Sequence, residues 1–389
     1  MFRNLKIAAI VLAIASLAAA QSSPADRAAA MIDKGLDYLK TQQKPDGGWA
    51  NPHEPPGFTA LALRAFVLDP KYSAQTDFVK RGYEKLLSYQ QPDGGIYEGG
   101  LANYNTAIAI SSLAAANNPQ FKPVIEKAVA YLKSLQWMDM AGVDPQLKYQ
   151  GEKDAWYGGW GYSNKTHTRG RPDLSNTQMA LDALHDAGVS ANDPAYKAAI
   201  KFVTRMQNSS ETNDQAWAGN DGGFVYGPGD DRKGNSAAGD FTSPEGDRRL
   251  RSYGSMTYAG LKSFIYAGLS KSDPRVKAAW DWITKNWTLS ENPGMRLGNP
   301  DNAQQGMYYY YHTLSRALSA FDQPSIDDSQ GNAHDWRVEL IDKLASLQKP
   351  DGSWAGDKRW MEDNPVLVSS YCVLALEEAQ KDLKEHPAK

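Results

Sequence analysis

Two kinds of segment alternate along the chain. The first kind is amphipathic at helical spacing: in 34–40, Leu36 and Leu39 share one face while charged residues hold the other. The stretches 81–89, 126–135, 195–206, 276–287 and 336–347 read the same way. The second kind is small, apolar and nearly uncharged, at 58–63, 105–110, 176–181, 256–261, 312–318 and 370–375. A helix that is apolar all round must be buried on all sides. Thr59, Thr106, Thr177, Thr257, Thr313 and Ser370 mark equivalent places in this second set. One hairpin cannot bury its own apolar helix, so neighbouring repeats must cover it. An open solenoid offers no interior for an inner layer this uniformly apolar. The pattern therefore predicts an all-α fold, an (α/α)6 toroid of six helical hairpins with inner and outer helix rings.

The turns between the two kinds repeat as well. Gln43-Lys-Pro-Asp-Gly-Gly-Trp49, Gln91-Pro-Asp-Gly-Gly-Ile96 and Gln348-Lys-Pro-Asp-Gly-Ser-Trp354 nearly copy one another, with looser versions at Gly158-Gly-Trp-Gly-Tyr162 and Asp221-Gly-Gly-Phe224. Proline stops the helix, aspartate bonds locally, and the glycines accept positive φ. The tryptophan is then placed to cover the gap between hairpins, with Gln43 able to bond exposed helix-end groups.

These runs resemble the QW repeat of squalene–hopene and oxidosqualene cyclases, which also occurs in protein prenyltransferase β subunits. The resemblance covers nearly all of the chain after its first 20 residues. It implies inner helices that run parallel, with their N-termini gathered at one mouth above an apolar cavity. Such a mouth would suit an anionic or hydroxylated head group. The resemblance also shows what this chain lacks. Zinc prenyltransferases pair Asp-x-Cys with a histidine in a Tyr-His-Thr context; Tyr311-His312-Thr313 matches, but Tyr253-Gly254-Ser255 replaces the other two ligands. Squalene–hopene cyclases use an Asp-x-Asp-Asp-Thr acid; here Asp173-Leu-Ser-Asn-Thr177 keeps only the first Asp and the Thr. An enzyme built on this chain would therefore be terpene-cyclase-like without the standard acid, and not a zinc prenyltransferase.

Composition adds limits. The net charge of −3 gives no electrostatic footprint for nucleic acid, and the lone Cys372 forbids an intrachain disulfide. Residues 1–20 read as an export signal: Arg3 and Lys6, an apolar run over 7–17, then Ala18, Ala19 and Ala20. Residues 21–389 are then expected to form a single toroid domain, periplasmic or extracellular, with no transmembrane anchor. Insertions interrupt it at about 138–172, with Trp156, Trp160, His167, Arg169 and Arg171, and at about 208–251, ending in Arg248, Arg249 and Arg251. No H-E-x-x-H, P-loop, G-x-S-x-G or cysteine cluster occurs, so no metal and no cofactor is expected.

The expected site follows. Tyr308, Tyr311, His312 and Ser315 share a helical face, and so do Ser255, Tyr258 and Lys262. Tyrosine faces suit a carbocation or an apolar ligand, and they also stack on sugars. The ligand-binding candidates are Arg251, Tyr253, Ser255, Tyr258, Asp301, Tyr308 and Tyr311; the catalytic candidates are Asp173 and His312, the latter expected to titrate near neutrality. The leading reading is an exported toroid that binds, and in a catalytic version transforms, an apolar isoprenoid-type ligand. A second reading is a carbohydrate-active protein, either glycan-binding or acting through a carboxylate pair drawn from Asp173, Asp221, Glu245 and Asp301. A third is a scaffold whose ring surface recognises protein.

Overall fold

The computed structural model describes residues 22–165 and 170–387, so the expected leader over 1–20 lies outside the described residues, as do His167 and Arg169. Twelve principal helices run outer, inner, outer, inner: α1 (Pro24–Thr41), α2 (Gly57–Leu68), α3 (Asp77–Leu87), α4 (Ala102–Ala115), α5 (Lys122–Ser134), α6 (Leu174–Asp186), α7 (Pro194–Arg205), α8 (Gly254–Tyr266), α9 (Pro274–Lys285), α10 (Met307–Phe321), α11 (Trp336–Leu347) and α12 (Pro365–Glu385). Each even-numbered helix packs on its two even-numbered neighbours, and α12 packs on α2, so the inner ring closes. The fold is an all-α toroid. No described helix is long and apolar enough to cross a membrane.

The inner helices are buried on every face, as their composition requires: all ten residues from Gly57 to Phe66 are buried in α2. The outer helices bury one stripe, such as Phe78, Val79, Tyr83 and Leu86 of α3. Asp193, Asp273 and Asn364 cap helices that begin with proline at the next position, the N-terminal pairing of a side-chain acceptor with a residue that has no N–H to satisfy.

The repeated turn is the joint between hairpins. The indole N–H of Trp49, Trp160 and Trp354 donates to the carbonyls of Leu39, Leu132 and Leu344, at 2.7, 2.7 and 2.9 Å. These carbonyls lie in last turns, where each also accepts one backbone N–H and has a lone pair left for the indole. The backbone N–H of Trp49, Ile96, Trp160 and Phe224 donates to Thr59, Thr106, Thr177 and Thr257 on the following inner helix, at 2.9 to 3.1 Å. At Trp354 the acceptor is Ser369, one residue before the expected Ser370, which instead bonds Val366 of its own helix. No such turn precedes Thr313, and its hydroxyl is buried without a partner. Gln43 donates both to Gly47 in its own turn and to Phe78 of the next outer helix. Gln348 repeats this with Gly352 and Met31, tying the last hairpin to the first. Gly352 has φ of +89°, and a methyl group there would collide with the Lys34 carbonyl, so glycine is required twice over.

The two insertions fold against each other. Trp137, Tyr149 and Trp156 form a small separate core. The Arg232 guanidinium lies 3.7 Å from the Trp156 ring centroid, and its Nε lies 3.0 Å from both Asp154 oxygens. The only strands among the described residues are short hairpin pieces: β1 (Asp240–Thr242) with β2 (Arg248–Leu250), and β3 (Ser325–Asp327) with β4 (Ala333–Asp335).

Trp354 is fully buried. Trp354→Ala is expected to lower the unfolding free energy by about 3–5 kcal/mol, read from urea denaturation. A loss below about 1 kcal/mol would remove the indole from its role as the joint.

Candidate functional site

Where the N-termini of the inner helices converge, a cavity of about 410 Å³ opens along the ring axis. Six tyrosines line it: Tyr104, Tyr162, Tyr226, Tyr253, Tyr309 and Tyr371. Phe58, Leu61, Ile108, Met256 and Leu367 supply the apolar wall between them. Four inner helices carry the ring of phenols, and the two insertions complete it with Tyr162 and Tyr226, whose hydroxyls are 3.0 Å apart. The Tyr309 hydroxyl meets Ser175 at 3.0 Å and accepts from Gln178 at 3.1 Å. Burial pushes the Tyr104 phenol up to about 12 and holds those of Tyr226, Tyr253, Tyr309 and Tyr371 well above the ordinary range, so all stay neutral. The Tyr253 hydroxyl is buried and has no partner, leaving it free to bond a ligand.

Among the described residues, no carboxylate, lysine, arginine or histidine lines this wall. The helix N-termini are not open to an anion either, because the protein already satisfies them. Asn105 accepts from Gly57, Asp173 from Asn176, Asn292 from Ser255, and Asn364 from Val366 and Leu367. The Asn103 N–H donates to the Tyr162 carbonyl. Glu362 accepts from the N–H groups of Tyr308 and Tyr309 at 2.8 and 2.9 Å, and its burial raises its pKa to about 7. The mouth is thus self-capped, which differs from the anion-seeking mouth expected above.

Of the expected site residues, only Tyr253 lines the cavity. Arg251 is half-buried with its guanidinium 5.2 Å from the Phe241 ring centroid, outside the wall. Ser255 is tied to Asn292, and Tyr258 packs edge-on against Tyr310. Tyr308 and Tyr311 turn outward to the carbonyls of Ala355 and Leu289. Asp301 is exposed on a short turn. The axial face of α10 is Tyr309, His312 and Arg316, one step round the helix from the face expected from polarity. His312 lies beneath the cavity, stacked on Tyr371 at 5.1 Å. Burial, with Arg316, Lys262 and Arg64 nearby, holds its imidazole well below the usual range, so it is neutral where it was expected to titrate.

Asp173 sits behind the wall as the cap of α6, bonded to Asn176 at 2.8 and 2.9 Å. Burial raises its carboxyl to about 7 against the pull of Asn176 and Tyr226. Sequence reasoning missed Tyr104, Tyr162, Tyr226, Tyr309, Tyr371 and Trp360. One signal was present: Tyr309 stands four residues before Thr313, as Tyr253 stands before Thr257. At the rim, Trp360 and Met361 are 38% and 42% exposed, and both have left-handed backbones, with φ of 57° and 62°. Such non-glycine conformations carry strain that the surroundings must hold.

No protein-family model and no curated protein matches the chain. Solved structures do. A type II terpene cyclase from Scytonema, 13% identical, superposes with a TM-score of 0.56 over 92% of this chain and 100% of its own. That cyclase has also been solved with its substrate, geranylgeranyl dihydroxybenzoate. An unsaturated glucuronyl hydrolase specific for heparin, 12% identical, gives 0.58 over 92% of this chain and 98% of its own. A protein from Actinoplanes, 14% identical, gives 0.50 over 92% and 99%. At these identities the likeness establishes the toroid.

The Asp173 carboxyl has a testable consequence. An unfolded aspartate titrates near 3.9, whereas Asp173 titrates at about 7. Between those values the folded chain keeps a proton that the unfolded chain has lost. The contribution is complete below about pH 4 and is lost as pH rises through about 7. Asp173→Asn keeps a cap and removes the titration. Its melting temperature should therefore fall less between pH 4 and 7 than that of the parent, and equal slopes would overturn the assignment.

Proposed function

We propose that this protein binds an elongated apolar molecule, of isoprenoid type and carrying at most hydroxyl or carbonyl groups, in the tyrosine-ringed cavity. The observation that carries this reading is the wall itself: six neutral phenols and aliphatic side chains, with no ionised group among the described residues. The volume of about 410 Å³ lies within the usual span of small-molecule pockets. Apolar contact would drive binding at roughly 25 cal/mol per Å² removed from water, and the free Tyr253 hydroxyl would orient a polar end. A terpene cyclase of the same fold takes a geranylgeranyl substrate, which adds support from the chemistry of one relative in shape.

The glycan-hydrolysis reading has less behind it. Inverting hydrolysis needs two carboxylates facing one bond. Asp173 is behind the wall, Asp221 is engaged by Ser252 and Gly223, and Glu245 and Asp301 are exposed. Cyclisation begun by alkene protonation needs a strong acid. Asp173, held near 7, is weaker than an ordinary carboxylic acid. Binding without chemistry is therefore the reading we favour, and the leader-like 1–20 would place it outside the cytoplasm.

Purified protein is expected to release an isoprenoid on organic extraction, detected by mass spectrometry. Farnesol should bind saturably, reported by quenching of tryptophan fluorescence from Trp360 at the rim. Met256→Trp, which fills the cavity, should weaken that binding by more than about tenfold. Unchanged affinity in the variant, or preference for a heparin disaccharide over farnesol, would overturn the reading.

A further inference from the structure

The opposite mouth of the ring holds a second cavity, of about 990 Å³, among the C-terminal turns of the inner helices. A buried ion-pair cluster separates it from the tyrosine cavity. Asp186 lies 3.2 Å from Arg64 and 2.9 Å from Arg316. One turn deeper, Asp182 lies 2.8 Å from Lys262 and 3.7 Å from Arg316. Three cations thus meet two carboxylates within the cluster, and Glu377 and Glu378 of α12 add acidic groups at the cavity. Arg64 and Arg316 both line the cavity, are 8% and 5% exposed, and have buried Nε–H groups without an acceptor.

Glu377, on α12, lines the same cavity. Both of its carboxylate oxygens are buried and neither has a donor. Burial and the nearby Asp69 raise its pKa far above the usual carboxylate range, although Arg64 draws it down, so at neutral pH it keeps its proton until a cation stands beside it. An unmatched carboxyl group and unmatched guanidinium edges therefore lie on residues that line one cavity. A buried polar group without a partner is costly to the fold, and a ligand that pairs both kinds would recover that cost.

We propose that this second cavity binds a small zwitterion, its carboxylate against the Nε–H groups of Arg64 and Arg316 and its ammonium against Glu377. A diamine would leave the two guanidinium edges unpaired, and a dicarboxylate would leave Glu377 unpaired. Nothing in this site depends on the tyrosine cavity.

Isothermal titration of the full chain at neutral pH with three four-carbon probes tests this: γ-aminobutyrate, putrescine and succinate. The zwitterion is expected to bind saturably and at least about tenfold more tightly than either competitor. Glu377→Gln should remove that preference while leaving the melting temperature unchanged, because the amide takes the place of a buried protonated carboxyl of the same shape. Should Glu377→Gln fail to fold, Ala320→Trp blocks the same cavity from its half-exposed rim and should abolish binding. No heat from any probe, equal affinity for putrescine or succinate, or unchanged γ-aminobutyrate affinity in these variants would overturn the proposal.

Discussion

Everything in this molecule depends on one requirement: six helices that are apolar all round have to be kept from water on every side. Only closure of the ring meets it, and the joint between hairpins is what makes closure hold. At each tryptophan joint an indole N–H bonds a carbonyl in the last turn of an outer helix. The backbone N–H beside the ring goes to a hydroxyl on the next inner helix. A glutamine then reaches across to the neighbouring hairpin. The joint is therefore local in sequence and lateral in space. It tolerates insertion: Trp160 and Leu132 are separated by 28 residues where Trp49 and Leu39 are separated by 10, and the bond length is the same. The last joint reaches Met31 across 317 residues, so the first and last hairpins are held by the same chemistry as their neighbours.

Closure gathers the helix N-termini at one mouth and the C-termini at the other, and the two ends have been treated in opposite ways. At the N-terminal mouth, asparagine, aspartate and glutamate side chains occupy the free N–H groups. The field that would attract an anion is thereby consumed inside the protein, and the cavity is left neutral and phenolic. At the C-terminal mouth, charge is concentrated. Arg64, Lys262, Arg316, Asp182 and Asp186 are packed together with little access to solvent. Buried ion pairs contribute little net stability because desolvation offsets their attraction. Their presence on the axis is better explained by what they divide: an apolar cavity on one side and a polar one on the other.

The insertions are part of the site. They supply two of the six phenols, and their mutual packing through Trp156, Arg232 and Asp154 fixes where those phenols stand. The rim strand of chain at Trp360 and Met361 is held through Glu362, whose carboxylate is anchored on the first turn of α10. That same turn carries Tyr309, so the rim and the wall share one anchor.

The amino-acid sequence by itself determined the fold. Helical periodicity, the contrast between amphipathic and uniformly apolar segments, and the repeated Gln-x-Pro-Asp-Gly turns are local signals that say which surfaces must be buried and where the chain must bend. They require an inner ring and an outer ring whatever the finer packing. The site was only partly legible. Four consecutive tyrosines marked α10, but a rotation of about 100° per residue separates the wall from the packing behind it. Polarity pointed to Tyr308 and Tyr311, whereas the packing of the helix in the ring turned Tyr309 inward. The protonation states were invisible as well. His312 is neutral because of burial and of charges drawn from α2, α6, α8 and α10, and burial alone lifts Asp173 to about 7 against its hydrogen bonds. A pKa is a property of everything that surrounds a group, and only the closed tertiary structure decides what that is.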